Sequence, residues 1–140
     1  AIVYFDASAF VKLLVDEPGS ELSAELWDHC DAAVSSRLAD PEVVAALAAA
    51  RRNRDLSAAG LDRAMSTWTE FWRSVWPIEL TALVARHAGE LAGTHSLRGA
   101  DAVHLASALA LEDPNLVVAA WDQRLSHAAR HAGLAVAPAA

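Results

Sequence analysis

Short apolar runs alternate along this chain with longer stretches in which apolar residues recur every three or four positions. The first run, residues 2–5, is β-prone, ends at Asp6 and passes directly into a helical pattern over 7–15. Glu17-Pro18-Gly19-Ser20 is a turn, with Ser20 predicted to N-cap a helix over 21–29. Residues 33–36 read as a second strand. Asp40-Pro41-Glu42 opens a helix, with Asp40 as N-cap and Pro41 in the first helical position. That helix runs to the cluster Arg51-Arg52-Asn53-Arg54. Ser57 starts another, in which Leu61, Met65, Trp68 and Trp72 form an apolar stripe that Pro77 terminates. A third strand is predicted over 78–80, and Thr81 caps a helix to about Leu91. Residues 97–100 lead into a helix over 101–111. Pro114-Asn115 turns the chain into the clearest strand, 116–121. Asp122 follows at once, then a helix to His131, which Gly133 closes before a last strand over 134–137. Strands alternating with helices predict one α/β domain over residues 1–140, its parallel sheet covered on both faces.

Composition sharpens this picture. Of the 140 residues, 33 are Ala, while Leu, Ile, Val and Phe make up one quarter. That apolar share excludes a disordered chain and predicts a core of closely packed, Ala-rich helices. The formal net charge of −7 argues against a broad basic coat for nucleic acid or a membrane surface. Cys30 is the single cysteine, so neither an internal disulfide nor a multi-cysteine zinc site can form. A reducing, cytoplasmic setting is expected. The opening AIVYFDASAF lacks the basic and apolar regions of a signal peptide, and no apolar window is long enough to predict a membrane span.

The candidate chemistry lies in four acids. Asp6 and Asp122 each end an apolar strand and precede a helix, the edge where open α/β sheets bind ligands. Each also suits a helix N-cap. Glu42 and Asp101 fall in first helical turns, where either could simply complement the helix dipole. Asp101 sits within the apolar run Leu97-Arg98-Gly99-Ala100-Asp101-Ala102-Val103-His104-Leu105-Ala106, and an isolated carboxylate near a core is costly unless paired or coordinated. Four carboxylates converging on one cleft would repel one another. A hard divalent cation, Mg²⁺ or Mn²⁺, relieves that repulsion through oxygen ligands and waters.

Four segments carry a family resemblance. Ile2 to Leu14 with Glu17-Pro18-Gly19-Ser20 strongly resembles the opening of PIN-domain proteins. Pro41-Glu42-Val43-Val44-Ala45-Ala46-Leu47 is similar to their second acidic motif, Arg98-Gly99-Ala100-Asp101-Ala102-Val103-His104 to the third, and Trp121-Asp122-Gln123-Arg124-Leu125 to the fourth. The segments keep the family order across nearly the whole chain, and the compact length most resembles VapC toxins of bacterial VapBC toxin–antitoxin pairs. The resemblance implies a PIN-like three-layer α/β/α fold with four to five short parallel strands. It implies a Mg²⁺-dependent endoribonuclease, with Mn²⁺ as substitute, leaving a 5′-phosphate and a 3′-hydroxyl. Asp6 and Asp101 carry over as the strongest metal ligands, Glu42 as a ligand or water-orienting group, and Asp122 as support for the cluster or for a second ion. Implied partners are RNA, a small VapB-type antitoxin and a second copy of the chain. One position departs from the pattern: Ala120 stands where the family often has Ser or Thr, which weakens the reading of Asp122. Ser8 matches, as support for the site or as a helix-start group.

Other residues carry paired readings. His104, three residues from Asp101, is either a satisfied, partly buried histidine or a group that orients the site. His127 and His131 have zinc-compatible spacing but no further ligand in sequence. Trp68, Trp72 and Trp76 read as core or dimer contact before base stacking. Arg51, Arg52 and Arg54 suit a solvated helix end or an RNA backbone, and Arg98 a phosphate or the neighbouring acids. Competing classes fare worse. A receiver domain needs a late lysine, whereas the single lysine is Lys12. A haloacid-type phosphatase needs D-x-D, whereas the chain has Asp6-Ala7-Ser8. A non-catalytic α/β phosphate- or metal-binding module is the remaining alternative. With the four candidate acids set aside, the charge balance falls from −7 to −3, so RNA must be held by a few well-placed arginines.

Overall fold

A computed structural model describes residues 1–139. Five parallel strands, β1 (Ile2–Phe5), β2 (Ala32–Ser36), β3 (Val75–Ile78), β4 (Val117–Ala119) and β5 (Ala135–Ala137), form one sheet in the order β3-β2-β1-β4-β5. Seven helices connect them: α1 (Ala7–Leu14), α2 (Ser20–His29), α3 (Ala39–Arg52), α4 (Ala58–Arg73), α5 (Ala82–His95), α6 (Gly99–Ala110) and α7 (Gln123–His131). The expected three-layer α/β/α architecture is observed, with five strands.

The two faces follow from alternation along β1. Val3 and Phe5 point to one layer, where they meet Ala9 and Phe10 of α1, Val43 and Leu47 of α3, and Trp68 of α4. Tyr4 points to the other, among Val84 and Ala88 of α5, Leu105 and Ala106 of α6, and Leu125 and Ala128 of α7. Alanines line both interfaces and let helices approach the sheet closely. The chain runs outward from β1 to β2 and β3, then returns to build β4 and β5 on the other side. Strand order therefore reverses between β1 and β4, and a crevice opens at their carboxyl ends. Trp68 and Trp72 pack with Phe10, their ring centroids 4.9 and 6.4 Å from it. Trp76 leaves this stripe: it lies on β3 and is 73% exposed.

Several local expectations are corrected. Gly19, not Ser20, occupies the N-cap of α2, at φ +96°. Ser20 Oγ instead staples the preceding turn, accepting from Glu17 N at 3.0 Å and donating to Val15 O at 2.9 Å. Leu38, not Asp40, caps α3. Asp40 lies two residues further on, within the first turn, and accepts from Trp68 Nε1 at 2.8 Å, tying α3 to α4. Pro41 sits in the third helical position, where its missing N–H has no intrahelical acceptor to lose. Pro77 falls inside β3 rather than before a strand, which an edge strand tolerates because one side of its backbone has no neighbour. The helix expected from residue 101 begins at Gly99, and the strand expected over 116–121 is confined to Val117–Ala119.

Gly19 matters to the crevice. A Cβ there would lie 2.7 Å from both Lys12 Cε and Trp121 Nε1, in a backbone conformation that side chains rarely adopt. Gly19→Ala is expected to destabilise the domain by about 2 kcal/mol, lowering the thermal midpoint by about 5 °C. An unchanged melting curve would contradict this packing.

Candidate active site

Asp6 leaves β1 and caps α1. Its Oδ1 accepts from Ala9 N at 2.9 Å and from Ser8 Oγ at 2.7 Å, while among the described residues Oδ2 has no hydrogen-bond donor. Its backbone N–H donates to Ala119 O at 3.2 Å, locking the end of β1 to β4. Asp122 repeats the arrangement after β4: Oδ1 accepts from Leu125 N at 2.9 Å, capping α7. For both residues the capping reading holds, and it is compatible with the site reading because one carboxylate oxygen caps and the other does not.

Glu42 lies in the first turn of α3 and Asp101 in the first turn of α6. A buried relay supports Glu42. Ser36 N–H donates to Tyr4 Oη at 3.1 Å, Tyr4 Oη lies 2.7 Å from His104 Nδ1, and His104 Nε2 lies 2.6 Å from Glu42 Oε1. Every group is satisfied when Tyr4 O–H donates to Nδ1 and Nε2–H donates to the carboxylate. His104 is thus satisfied, and the same contact orients Glu42. The signal for this relay was a tyrosine and a histidine on buried faces, each needing a polar partner; Tyr4 was missed in that role. Burial pushes the Tyr4 hydroxyl far above its ordinary pKa, so it stays protonated and can donate.

Arg98 serves the other pair. Its Nε lies 3.1 Å from Asp101 Oδ2 and its Nη2 3.9 Å from Asp122 Oδ2. These two acids hold the guanidinium proton more tightly than usual, chiefly through the Asp101 hydrogen bond. At this edge Arg98 stands as a counter-charge.

Asp6 is the deepest of the four, 4% exposed. Burial raises its pKa, and the Glu42 charge adds to the rise. His104, the Ser8 hydroxyl and the Ala9 N–H oppose it. Glu42 and Asp6 are therefore electrostatic neighbours, as are Arg98, Asp101 and Asp122. The full set is open rather than closed: among the described residues, no three His, Cys, Asp or Glu side chains form a group able to hold a metal by themselves. The donors are nevertheless all carboxylate oxygens, and Mg²⁺ characteristically takes one or two carboxylates while keeping several waters. The residues fit such a wide, hydrated site. Ala120 is buried, and its carbonyl accepts from Ser126 Oγ at 3.0 Å, so Ser126 is tied to the backbone beside the missing family hydroxyl.

The comparisons agree with the geometry. The PIN domain family matches residues 3–131. Over 99% of its length the chain is 64% identical to Ribonuclease VapC45 of Mycobacterium tuberculosis (strain CDC 1551 / Oshkosh), covering 96% of that protein. The chain belongs to the PIN domain family and, within it, to the VapC group. Solved structures share the fold. Mycobacterium tuberculosis VapC20, a Sarcin-Ricin loop cleaving toxin, matches with a TM-score of 0.69 at 18% identity, over 90% of this chain and 94% of that one. A toxin–antitoxin complex from Klebsiella pneumoniae matches with a TM-score of 0.62 at 17% identity, over 86% of each chain.

An acid whose folded-state pKa lies above its unfolded value binds its proton more tightly when folded. It favours folding at low pH, and that contribution is lost as pH rises from the unfolded value, about 3.9, through the raised folded value. Asp6 therefore costs stability at neutral pH. Asp6→Asn, which can still cap α1, is expected to raise the metal-free melting midpoint at pH 7, with the gain shrinking towards pH 4. A lower midpoint at pH 7 would contradict this reading of Asp6.

Proposed function

We propose that this chain is a divalent-cation-dependent endoribonuclease acting as the toxin of a type II toxin–antitoxin pair. It hydrolyses RNA phosphodiester bonds, leaving a 5′-phosphate and a 3′-hydroxyl. The observation that carries this reading is that Asp6 and Asp122 follow adjacent parallel strands at the edge where strand order reverses, with Glu42 an electrostatic neighbour of Asp6, Asp101 one of Asp122 through Arg98, and Asp6 Oδ2 without a donor among the described residues. The 64% identity to a protein named a ribonuclease supports the activity.

Asp6 and Asp101 would hold Mg²⁺, or Mn²⁺ in its place, with Glu42 as a further ligand or water-orienting base and Asp122 as support. When bound, the cation activates water and neutralises charge on the scissile phosphate. The remaining roles belong to the chain. Ser8 and the α1 N-terminus fix Asp6 Oδ1, which leaves Oδ2 turned to the site. His104, backed by Tyr4, holds Glu42 in one orientation and supplies a proton donor to it. Arg98 offsets the charge of Asp101 and Asp122 before substrate arrives.

The proposed partners are RNA, a small VapB-type antitoxin and a second copy of this chain. The likeness in fold to the Klebsiella toxin–antitoxin complex supports the antitoxin. A cytoplasmic setting accords with the absence, among the described residues, of any helix long and apolar enough to cross a membrane. The spacing of the carboxylates favours one rival, a phosphate- or metal-binding module without catalysis.

Cleavage of total RNA by purified protein separates the two. Wild type is expected to cut in Mg²⁺ or Mn²⁺ and not in EDTA. Asp6→Asn and Asp101→Asn are each expected to lower the rate by roughly 100-fold or more. Full metal-dependent activity in both variants would overturn the assignment.

A further inference from the structure

Beside the carboxylates lies a cleft of about 560 Å³ lined by Arg98, Trp121, Asp122, Gln123 and Arg124. Its size is that of a small-ligand site. Its walls combine one indole, two guanidinium groups, a carboxamide and the Asp122 carboxylate. Arg124 is exposed and forms no ion pair among the described residues, whereas Arg98 is held by Asp101 and Asp122.

Trp121 is seated with unusual care. Its ring edge rests on Gly19, where no Cβ could be accommodated. Lys12 Nζ lies 5.0 Å from the ring centroid and is itself fixed by Glu17 Oε1 at 3.1 Å. The lysine side chain is only 12% exposed. The single lysine of the chain and a glycine at positive φ thus flank one indole at the mouth of the cleft. Trp121 packs against the core that contains Phe5, Phe10 and Trp68, but it is only half-buried and makes no ring–ring contact with those aromatics among the described residues. A held aromatic ring loses little freedom on binding a base, and every base offers a π-face to it.

We propose that this cleft is a nucleotide subsite: Trp121 stacks the base of an unpaired ribonucleotide next to the scissile bond, and Arg124, with Arg98, holds the adjoining phosphate. The proposal rests on the nuclease reading and adds where the substrate is gripped. It also answers the charge problem. A chain of net charge −7 gains little from long-range attraction of RNA, so stacking and one or two placed cations must supply the affinity. Stacking on Trp121 requires a base freed from its partner, so a duplex is excluded from the subsite.

The test is binding of a fluorescent ten-nucleotide single-stranded RNA, read by anisotropy with Ca²⁺ replacing Mg²⁺, alongside cleavage in Mg²⁺. Trp121→Leu, which keeps apolar bulk over Lys12, is expected to weaken binding about tenfold. Trp121→Phe, which keeps a π-face, should stay within about threefold of wild type. Arg124→Gln is expected to reduce the slope of log affinity against log salt by about 0.7, the value for one lost phosphate contact on a single strand. Melting curves check that each variant is folded, and a duplex of the same sequence should bind the wild type and Trp121→Leu alike. If wild type cuts RNA while Trp121→Leu and Arg124→Gln bind with unchanged affinity and salt slope, the subsite is overturned and the nuclease reading survives. If these variants lose binding although wild type cuts nothing, the subsite stands and the nuclease reading falls. A wild type that binds no RNA overturns the subsite.

Discussion

Parallel pairing of β1 with β4 is the constraint on which the rest of this molecule depends. Both strands deliver an aspartate to the same edge, and the Asp6 N–H bond to Ala119 O closes the sheet there. The helices that follow, α1 and α7, begin at those aspartates. Helix N-termini therefore gather where carboxylates gather, and their partial positive charge offsets part of the repulsion. Parallel topology thus creates the acidic crevice and supplies part of what makes it tolerable.

The remaining repulsion is met by two neutralising groups of different kinds. On the inner side, the Tyr4–His104 relay reaches Glu42 from within the α5–α7 layer, so packing on that face fixes a carboxylate orientation. On the outer side, Arg98 spans Asp101 and Asp122 in solvent, where an ion pair is weak and readily exchanged. The inner partner is built to stay and the outer one to yield. A bound cation can replace an exposed guanidinium at small cost, and a phosphate can draw that guanidinium away, whereas displacing His104 would leave the buried Tyr4 hydroxyl without its acceptor. The raised pKa of Asp6 belongs to the same compromise: the chain gives up stability to keep an acid in low-dielectric surroundings at this edge.

Much of this was legible along the chain. The strand–helix alternation, the capping roles of Ser57, Thr81 and Asp122, and the four acids all follow from periodicity and motif order. The failures share a physical cause, since each depended on a contact distant in sequence. Asp40 reads locally as a cap but is claimed by Trp68, 28 residues away. Pro77 reads as a breaker but falls in an edge strand, a property of sheet order rather than of local sequence. Ser20 reads as a cap until Gly19 must be left bare for Trp121. Trp121 was hidden because it ends an apolar run; in the tryptophan stripe, read first as core or dimer contact, Trp68 and Trp72 pack in the core and Trp76 is exposed.

The central claim is that these four carboxylates form one site completed by a divalent cation, and calorimetric titration of Mn²⁺ into metal-free protein at pH 7 tests it most directly. The account predicts saturable binding at or below millimolar Mn²⁺ in the wild type, strongly weakened in Asp101→Asn. No binding by the wild type at millimolar Mn²⁺, or equal binding by the variant, would contradict it.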